Sequence, residues 1–358
     1  MSYFRDNVER AEGYTPGFQP KAAEVVKLNT NENPYPPSPL VMKTLAQIKP
    51  EQLRRYPDPL GTSFREAAAE LNGVQPENIM CCNGGDDLLS IAIRAFCDER
   101  RPLAYPMPTY SLYPVLARLQ NCEAIEIPFG EQFDLPTELA TTGAALTILC
   151  NPNAPTGSLI RVEEVASLAA KLTGVLLIDE AYADFAEQNC ASLVRDLDNV
   201  IVLRSLSKGY SLAGLRFGYA IAPKDLIDGL IKVKDSYNVD ALAIALATAA
   251  IQDQAYFRQN VERIKKDRTA LTKQLRFLGF TVPDSHSNFV FAQIGANGVS
   301  PLPAARIQEQ LARRNIFVRY WNAPGIQNKL RISVGTKEQN EKLIAALKEI
   351  LSAGGDRP

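Results

Sequence analysis

Lys208 stands in the stretch RSLSKGYSLAGLRFGY (204–219), among serine, glycine and alanine, directly after the apolar run NVIVLR. A lysine on a solvated helix has other charges around it; here the neighbours are small. A lysine amine is nucleophilic only when neutral, and burial or nearby positive charge lowers its proton affinity toward neutral pH. Arg216, eight residues on, supplies such a charge. Other strand-like runs end in other chemical types. VLLIDEAY delivers Asp179, Glu180 and Tyr182. A carboxylate emerging from a buried strand is costly unless paired, so Asp179 is expected to hold a cation. CNPNAPTG (150–157) fixes Asn151 and Asn153 among prolines, and taken alone reads sooner as a structural turn. NGGDD (83–87) is a glycine turn opening a helix. Its free amides and positive dipole end suit a phosphate, though a bare helix cap explains it as well. Arg319 in IFVRYWN and Arg331 in KLRISVG each read, singly, as surface strand arginines.

These residues need elements to hold them. From about residue 60 to 250 helical and strand-like segments alternate: TSFREAAAELNG, ENIMCCNGG, DDLLSIAIRAFC, RPLAYP, EAIEIPF, ALTILCNP, VEEVASLAAKL, VLLIDEAY, NVIVLRSLSK and RFGYAIA. Apolar runs this continuous imply strands covered on both faces, as in a mostly parallel α/β sheet. Such sheets carry ligands at the carboxyl ends of their strands, which is where the polar residues fall. Residues 253–276 predict one long polar helix bridging domains, and TVPDSHSNFVFAQI, NIFVRYW, KLRISVG and KEQNEKLIAALKEIL predict a smaller α+β unit. The expected division is a segment at 1–35 that looks irregular and packs across the domains, a large domain at 36–252 and a small one at 253–358.

With 358 residues, two domains are the prior. A composition 46% hydrophobic and 22% charged is that of an ordinary globular protein, and a formal net charge of -1 gives no reason to expect nucleic acid or an anionic membrane as partner. MSYFRDNVER has no apolar core, so no signal peptide is expected, and ALAIALATAAI (241–251) is too short to span a bilayer. A cytoplasmic location is expected. The six cysteines form no CxxC pair and read as buried reduced thiols. The sole histidine, His286, excludes histidine-rich metal sites and reads as structural or solvent-facing; no metal is expected.

Lysine, carboxylate, asparagine, tyrosine, serines and arginine together suit pyridoxal 5'-phosphate, which offers an aldehyde, a ring nitrogen, a phenolic oxygen and a phosphate. The order Asn, Asp-x-x-Tyr, Ser-x-Ser-Lys and Arg strongly resembles the class II, fold-type I pyridoxal phosphate-dependent aminotransferases. KLNTNENPYPPSP (27–39), RRYPDP (54–59), YPMPTYSLY (105–113), CNPNAPTG and LRISVGT (330–336) look like the histidinol-phosphate aminotransferase family, over nearly the whole chain. The resemblance implies a large domain with a mostly parallel mixed sheet covered by helices, plus a smaller α+β domain. It implies that Lys208 is the Schiff-base lysine, that Asp179 pairs with the pyridine nitrogen, and that Asn153 and Tyr182 bond the phenolic oxygen. Tyr110 would stack on the ring. Gly85, Asp86, Ser205, Ser207 and Arg216 would hold the phosphate, the first two through backbone amides. Tyr56 would reach the neighbouring subunit's phosphate, which implies a homodimer with shared active sites. Tyr14, Asn153, Arg319 and Arg331 would surround the substrate phosphate, and Arg331 would also take the glutamate carboxylate.

The activity implied is transfer of an amino group between L-histidinol phosphate and 2-oxoglutarate, giving imidazole-acetol phosphate and glutamate in histidine biosynthesis. Three other readings share the motifs: an aromatic amino-acid aminotransferase, a threonine-phosphate decarboxylase of corrinoid synthesis, and a fold-type I domain serving as a binding or regulatory protein. The last has no need of the full set Asn153, Asp179, Tyr182, Lys208 and Arg216.

Overall fold

A computed structural model of the chain describes residues 2–20, 24–294 and 302–354; the parts of the expected N-terminal segment and small domain at 1, 21–23, 295–301 and 355–358 lie outside the described residues. Among the described residues eleven strands form two sheets: β1 (Val26–Leu28), β2 (Ile79–Cys82), β3 (Leu103–Met107), β4 (Ala124–Pro128), β5 (Leu146–Cys150), β6 (Val175–Asp179), β7 (Val200–Ser205), β8 (Gly218–Ile221), β9 (Phe289–Gln293), β10 (Ile316–Tyr320) and β11 (Lys329–Ser333).

Seven of them make the larger sheet in the order β2-β8-β7-β6-β5-β3-β4. Only β8 runs antiparallel to its neighbours; the remaining pairs are parallel. The apolar runs split by the two-residue period of a strand. Leu176, Ile178, Val200 and Val202 turn to one face, against helices Thr62–Asn72, Val162–Lys171 and Ala241–Gln252. Leu177, Ile201 and Leu203 turn to the other, against Gly85–Phe96, Leu112–Gln120 and Lys224–Ile231. Both faces are therefore buried, as the unbroken hydrophobicity of these strands implies.

The smaller sheet has the order β1-β10-β11-β9 and its own core, in which Val26, Leu28, Val290, Val318, Leu330 and Ile332 meet Leu271, Leu311, Leu343 and Leu347. The stretch expected to be irregular thus supplies a strand, paired in parallel as Val26↔Ile316 to Leu28↔Val318. Three residues are too few to show a period, so its strand character comes from the partner. TVPDSHSNFVFAQI is a strand only at Phe289–Gln293, with a single bridge from Thr281 back to Gln293. Pro283, Ser285 and Ser287, which precede the strand, favour turns.

Gln254–Phe277 is one helix of 24 residues. It ties the two sheets together: Arg268 donates to the carbonyl of Phe185 (3.3 Å) and to that of Ser287 (2.7 Å). The six cysteines are all buried and free, and His286 places Nδ1 2.5 Å from Glu187. Among the described residues no helix is long and apolar enough to cross a membrane.

Candidate active site

Strands β2, β3, β5, β6 and β7 run parallel to one another, so their carboxyl ends open along one edge. In register, Cys150 lies beside Asp179 and Asp179 beside Leu203, while Gly218 pairs with both Cys82 and Ser205. The turns after these strands therefore bring Gly85, Asp86, Tyr110, Asn153, Asp179, Tyr182, Ser205, Ser207, Lys208 and Arg216 to one place.

Strand alternation decides what each carboxylate meets. Asp179 shares the face of Leu177 and points toward helix Leu112–Gln120, where the Tyr113 hydroxyl donates to its Oδ2 at 2.7 Å; the Ala181 amide donates to Oδ1 at 3.1 Å. Glu180 faces the opposite way and pairs with Arg204 (3.2 Å), which also grips Asp184 (2.6 Å). Asp179 is only 4% exposed, and among the described residues no cation pairs with it. Burial pushes its carboxyl up to about 6. The cation expected for Asp179 does not come from this chain's side chains, and the pocket suits a ligand bearing a protonated ring nitrogen.

The Lys208 amine donates to the carbonyl of Thr30 (3.2 Å) and lies 5.7 Å from the Tyr182 ring. Burial, then the positive charges of Arg331 and Arg216, lower its proton affinity to about 8, against an opposing pull from Glu32 and Asp86. The N-terminal stretch braces this region. Asn33 donates to the carbonyls of Lys208 (3.0 Å) and Gly209 (3.3 Å), and Asn31 donates to the Tyr182 hydroxyl (3.0 Å) and accepts from Ser333 (3.0 Å). Burial raises the Tyr182 phenol to about 12.

An anion cradle lies at the start of helix Gly85–Phe96. Gly84 has φ +84°, and a Cβ there would stand 2.7 Å from an Arg216 guanidinium nitrogen. The close approach leaves the first helical amides, Gly85 and Asp86, open beside Arg216. The Asp86 carboxylate braces the surroundings, accepting from Tyr110 (3.2 Å) and pairing with Arg216 (3.2 Å), which also reaches the Ser207 hydroxyl (3.5 Å).

Asn153 is 1% exposed, and both its amide hydrogens are committed, to the carbonyl of Pro108 and to Thr156, each at 2.9 Å; its oxygen accepts from Thr109 (3.1 Å). A carbonyl only accepts, which fixes the amide's orientation. To serve a phenolic oxygen Asn153 must release one of these bonds, so Tyr182 is the freer donor.

Arg319 and Arg331 face each other in register across β10 and β11. Arg331 donates to the carbonyl of Asn29 (3.0 Å), and its Nε is buried without a partner. Among the described residues neither arginine has an acidic partner, so both are poised for an anion from outside. Tyr14 stands 6.0 Å from the Tyr110 ring, over the site. Tyr56 is apart from all of these, 82% exposed and stacked on Tyr237 at 4.6 Å. Tyr113, Asn31, Asn33, Trp321 and Arg204 escaped the sequence reading. Tyr113 follows Tyr110 by one helical turn and Asn31 and Asn33 alternate in NTNENP, and those spacings were the available signal.

The aminotransferase class I and II family matches residues 23–347. A histidinol-phosphate aminotransferase 1 of Trichormus variabilis is 48% identical over 352 residues, covering 98% of this chain and 99% of that protein. A histidinol-phosphate aminotransferase 1 of a Nostoc species is 47% identical over 354 residues, with 98% and 99% covered. Among solved structures, a histidinol-phosphate aminotransferase of Sinorhizobium meliloti in complex with pyridoxal-5'-phosphate superposes with a TM-score of 0.89 at 24% identity, covering 99% of this chain and 98% of that one.

Proposed function

Because the chain belongs to the class I and II aminotransferases, we propose that it transfers an amino group between L-histidinol phosphate and 2-oxoglutarate, using pyridoxal 5'-phosphate, in histidine biosynthesis. The observation that carries this is one edge of a fold-type I sheet on which a lysine poised near pH 8 stands close to a buried carboxylate that forms no ion pair among the described residues. A binding module needs neither.

When bound, the cofactor supplies an aldehyde that condenses with amines and a ring that withdraws electrons from the carbon losing its proton. The chain does the rest. Asp179 would keep a proton on the ring nitrogen, a charge-assisted contact of ~1.5–3 kcal/mol. The Tyr182 hydroxyl, oriented by Asn31, bonds the phenolic oxygen, with Asn153 beside it. Tyr110 would cover the ring face. Arg216, Ser205, Ser207 and the amides of Gly85 and Asp86 hold the phosphate. Lys208, partly neutral near pH 8, would serve first as the nucleophile toward the aldehyde and then as the base and acid that takes up and returns the substrate's proton. Arg331 and Arg319, with Tyr14, take the substrate phosphate in one half-reaction and the dicarboxylate in the other. A guanidinium fork grips either anion in the same bidentate fashion.

The same proposal includes a homodimer whose sites share Tyr56, a large domain at 36–252, a small domain at 253–358 joined by the segment at 1–35, and action in the cytoplasm. Exposed Met42, Leu53 and Tyr56 support the dimer, lying on or next to helices that pack on Ala241–Gln252.

The test compares histidinol phosphate, phenylalanine, tyrosine and threonine phosphate as donors to 2-oxoglutarate. Histidinol phosphate should give the highest kcat/KM and borohydride should fix the cofactor on Lys208. Faster turnover of an aromatic amino acid, or carbon dioxide released from threonine phosphate without glutamate, would sink the substrate assignment.

A further inference from the structure

We propose that Trp321 is a positioning residue that makes Arg319 and Arg331 a single receptor for a doubly charged phosphate ester. The inference rests on the reading of these arginines as the substrate-phosphate site, and names what allows them to serve it.

Two guanidinium groups stand in register across β10 and β11, and their Cζ atoms lie 5.0 Å (Arg319) and 5.1 Å (Arg331) from the ring of Trp321. Phe289 lies 5.3 Å from Arg331 as well. Near the cofactor edge Arg204 is neutralised by Glu180 and Asp184, and Arg216 by Asp86, while the buried Arg268 spends its donors on two backbone carbonyls. Among the described residues Arg319 and Arg331 have no such acid, and burial, with Arg319 adding to it, lowers the proton affinity of Arg331. A carboxylate would relieve the repulsion but occupy the N–H groups. An aromatic face within ~6 Å attracts a cation and takes none of its donors. The indole therefore offsets repulsion between the cations while leaving their forks open, Nε of Arg331 included. Two cations with free donors gain more from a dianion than from a carboxylate.

Trp321 is the chain's one tryptophan, so indole emission reads this place directly. In the holoenzyme, titration with inorganic phosphate and with histidinol phosphate should change that emission saturably, and acetate should change it less. Trp321→Leu should raise the KM for histidinol phosphate and the inhibition constant of phosphate roughly tenfold, with a smaller rise in the KM for glutamate and little change in kcat. Trp321→Phe should recover most of the loss. Emission unmoved by saturating histidinol phosphate in the wild type overturns the proposal without any variant. So does a Leu variant whose phosphate and glutamate constants move equally and are not recovered by Phe. A wild type that transaminates only aromatic amino acids overturns this proposal and the substrate reading together. Normal turnover of histidinol phosphate with silent tryptophan overturns this one alone.

Discussion

Replacing Asp179 with asparagine should sharply lower the activity and yet stabilise the apoprotein at alkaline pH. The carboxyl is buried and unpaired, and its proton affinity rises from the ordinary 3.8 to about 6. At about 1.4 kcal/mol per pH unit, that displacement makes ionised Asp179 a burden of about 3 kcal/mol on the folded apoprotein. The sign follows from the direction. A folded-state value above the unfolded one means that the burden is absent below about pH 4, grows between 4 and 6, and is complete above 6. Asparagine is nearly isosteric and never ionises. It keeps an oxygen for the Ala181 amide, and the Tyr113 hydroxyl can turn to accept from its nitrogen. Urea unfolding of the two apoproteins at pH 8 and pH 4.5 measures the difference. The asparagine variant should gain about 1–3 kcal/mol at pH 8 and much less at pH 4.5. Transamination should fall by roughly 10- to 150-fold, since the ring nitrogen loses a charged partner worth ~1.5–3 kcal/mol. A variant less stable than wild type by the same amount at both pH values would refute the reasoning, for it would mean that Asp179 is satisfied without a ligand.

Three other outcomes follow. Tyr113→Phe removes the 2.7 Å bond that favours the ionised carboxylate, so the acid limb of the kcat/KM profile should move up by ~1–2 pH units; an unmoved limb would show that Tyr113 only packs. Gly84→Ala places a Cβ 2.7 Å from Arg216 at a backbone φ of +84°. Strain of ~1–3 kcal/mol should appear as weaker cofactor retention, measured by dialysis and absorbance, at little change in KM for substrates that still bind. Arg331→Lys should raise the KM of both histidinol phosphate and glutamate at least ~10-fold, because an ammonium cannot reproduce the planar fork; if one KM alone rises, the two anions do not share the site.

Much of the site is legible because strands advertise themselves and their ends are where polar types change. Asp179, Ser205 and Lys208 all end or follow unbroken apolar runs, and those runs could be read directly. Residues whose meaning depends on distant partners were not legible. Asn31 matters because it meets Tyr182, 151 positions on, and Ser333, 302 positions on. Trp321 reads as one more aromatic at a strand end until two arginines from different strands are seen beside it. Asn153 shows the opposite case, a motif easy to read whose donors turn out to be committed to Pro108 and Thr156. The strand Val26–Leu28 is too short to carry a pattern at all.

That short strand also bears on how the chain matures on the ribosome. Residues 79–221 contain every strand of the larger sheet and can pair while synthesis continues. Val26–Leu28 emerges before any of them, but its partner Ile316–Val318 is made after all of them. Until then Thr30, Asn31 and Asn33, which follow directly, have no sheet to fix them beside Lys208 and Tyr182. Nascent domains fold as units from the amino end, and pairings between distant segments come late. A chain that stops short of β10 can therefore build the cofactor edge but not close it, and competence is acquired only once β10 has been made.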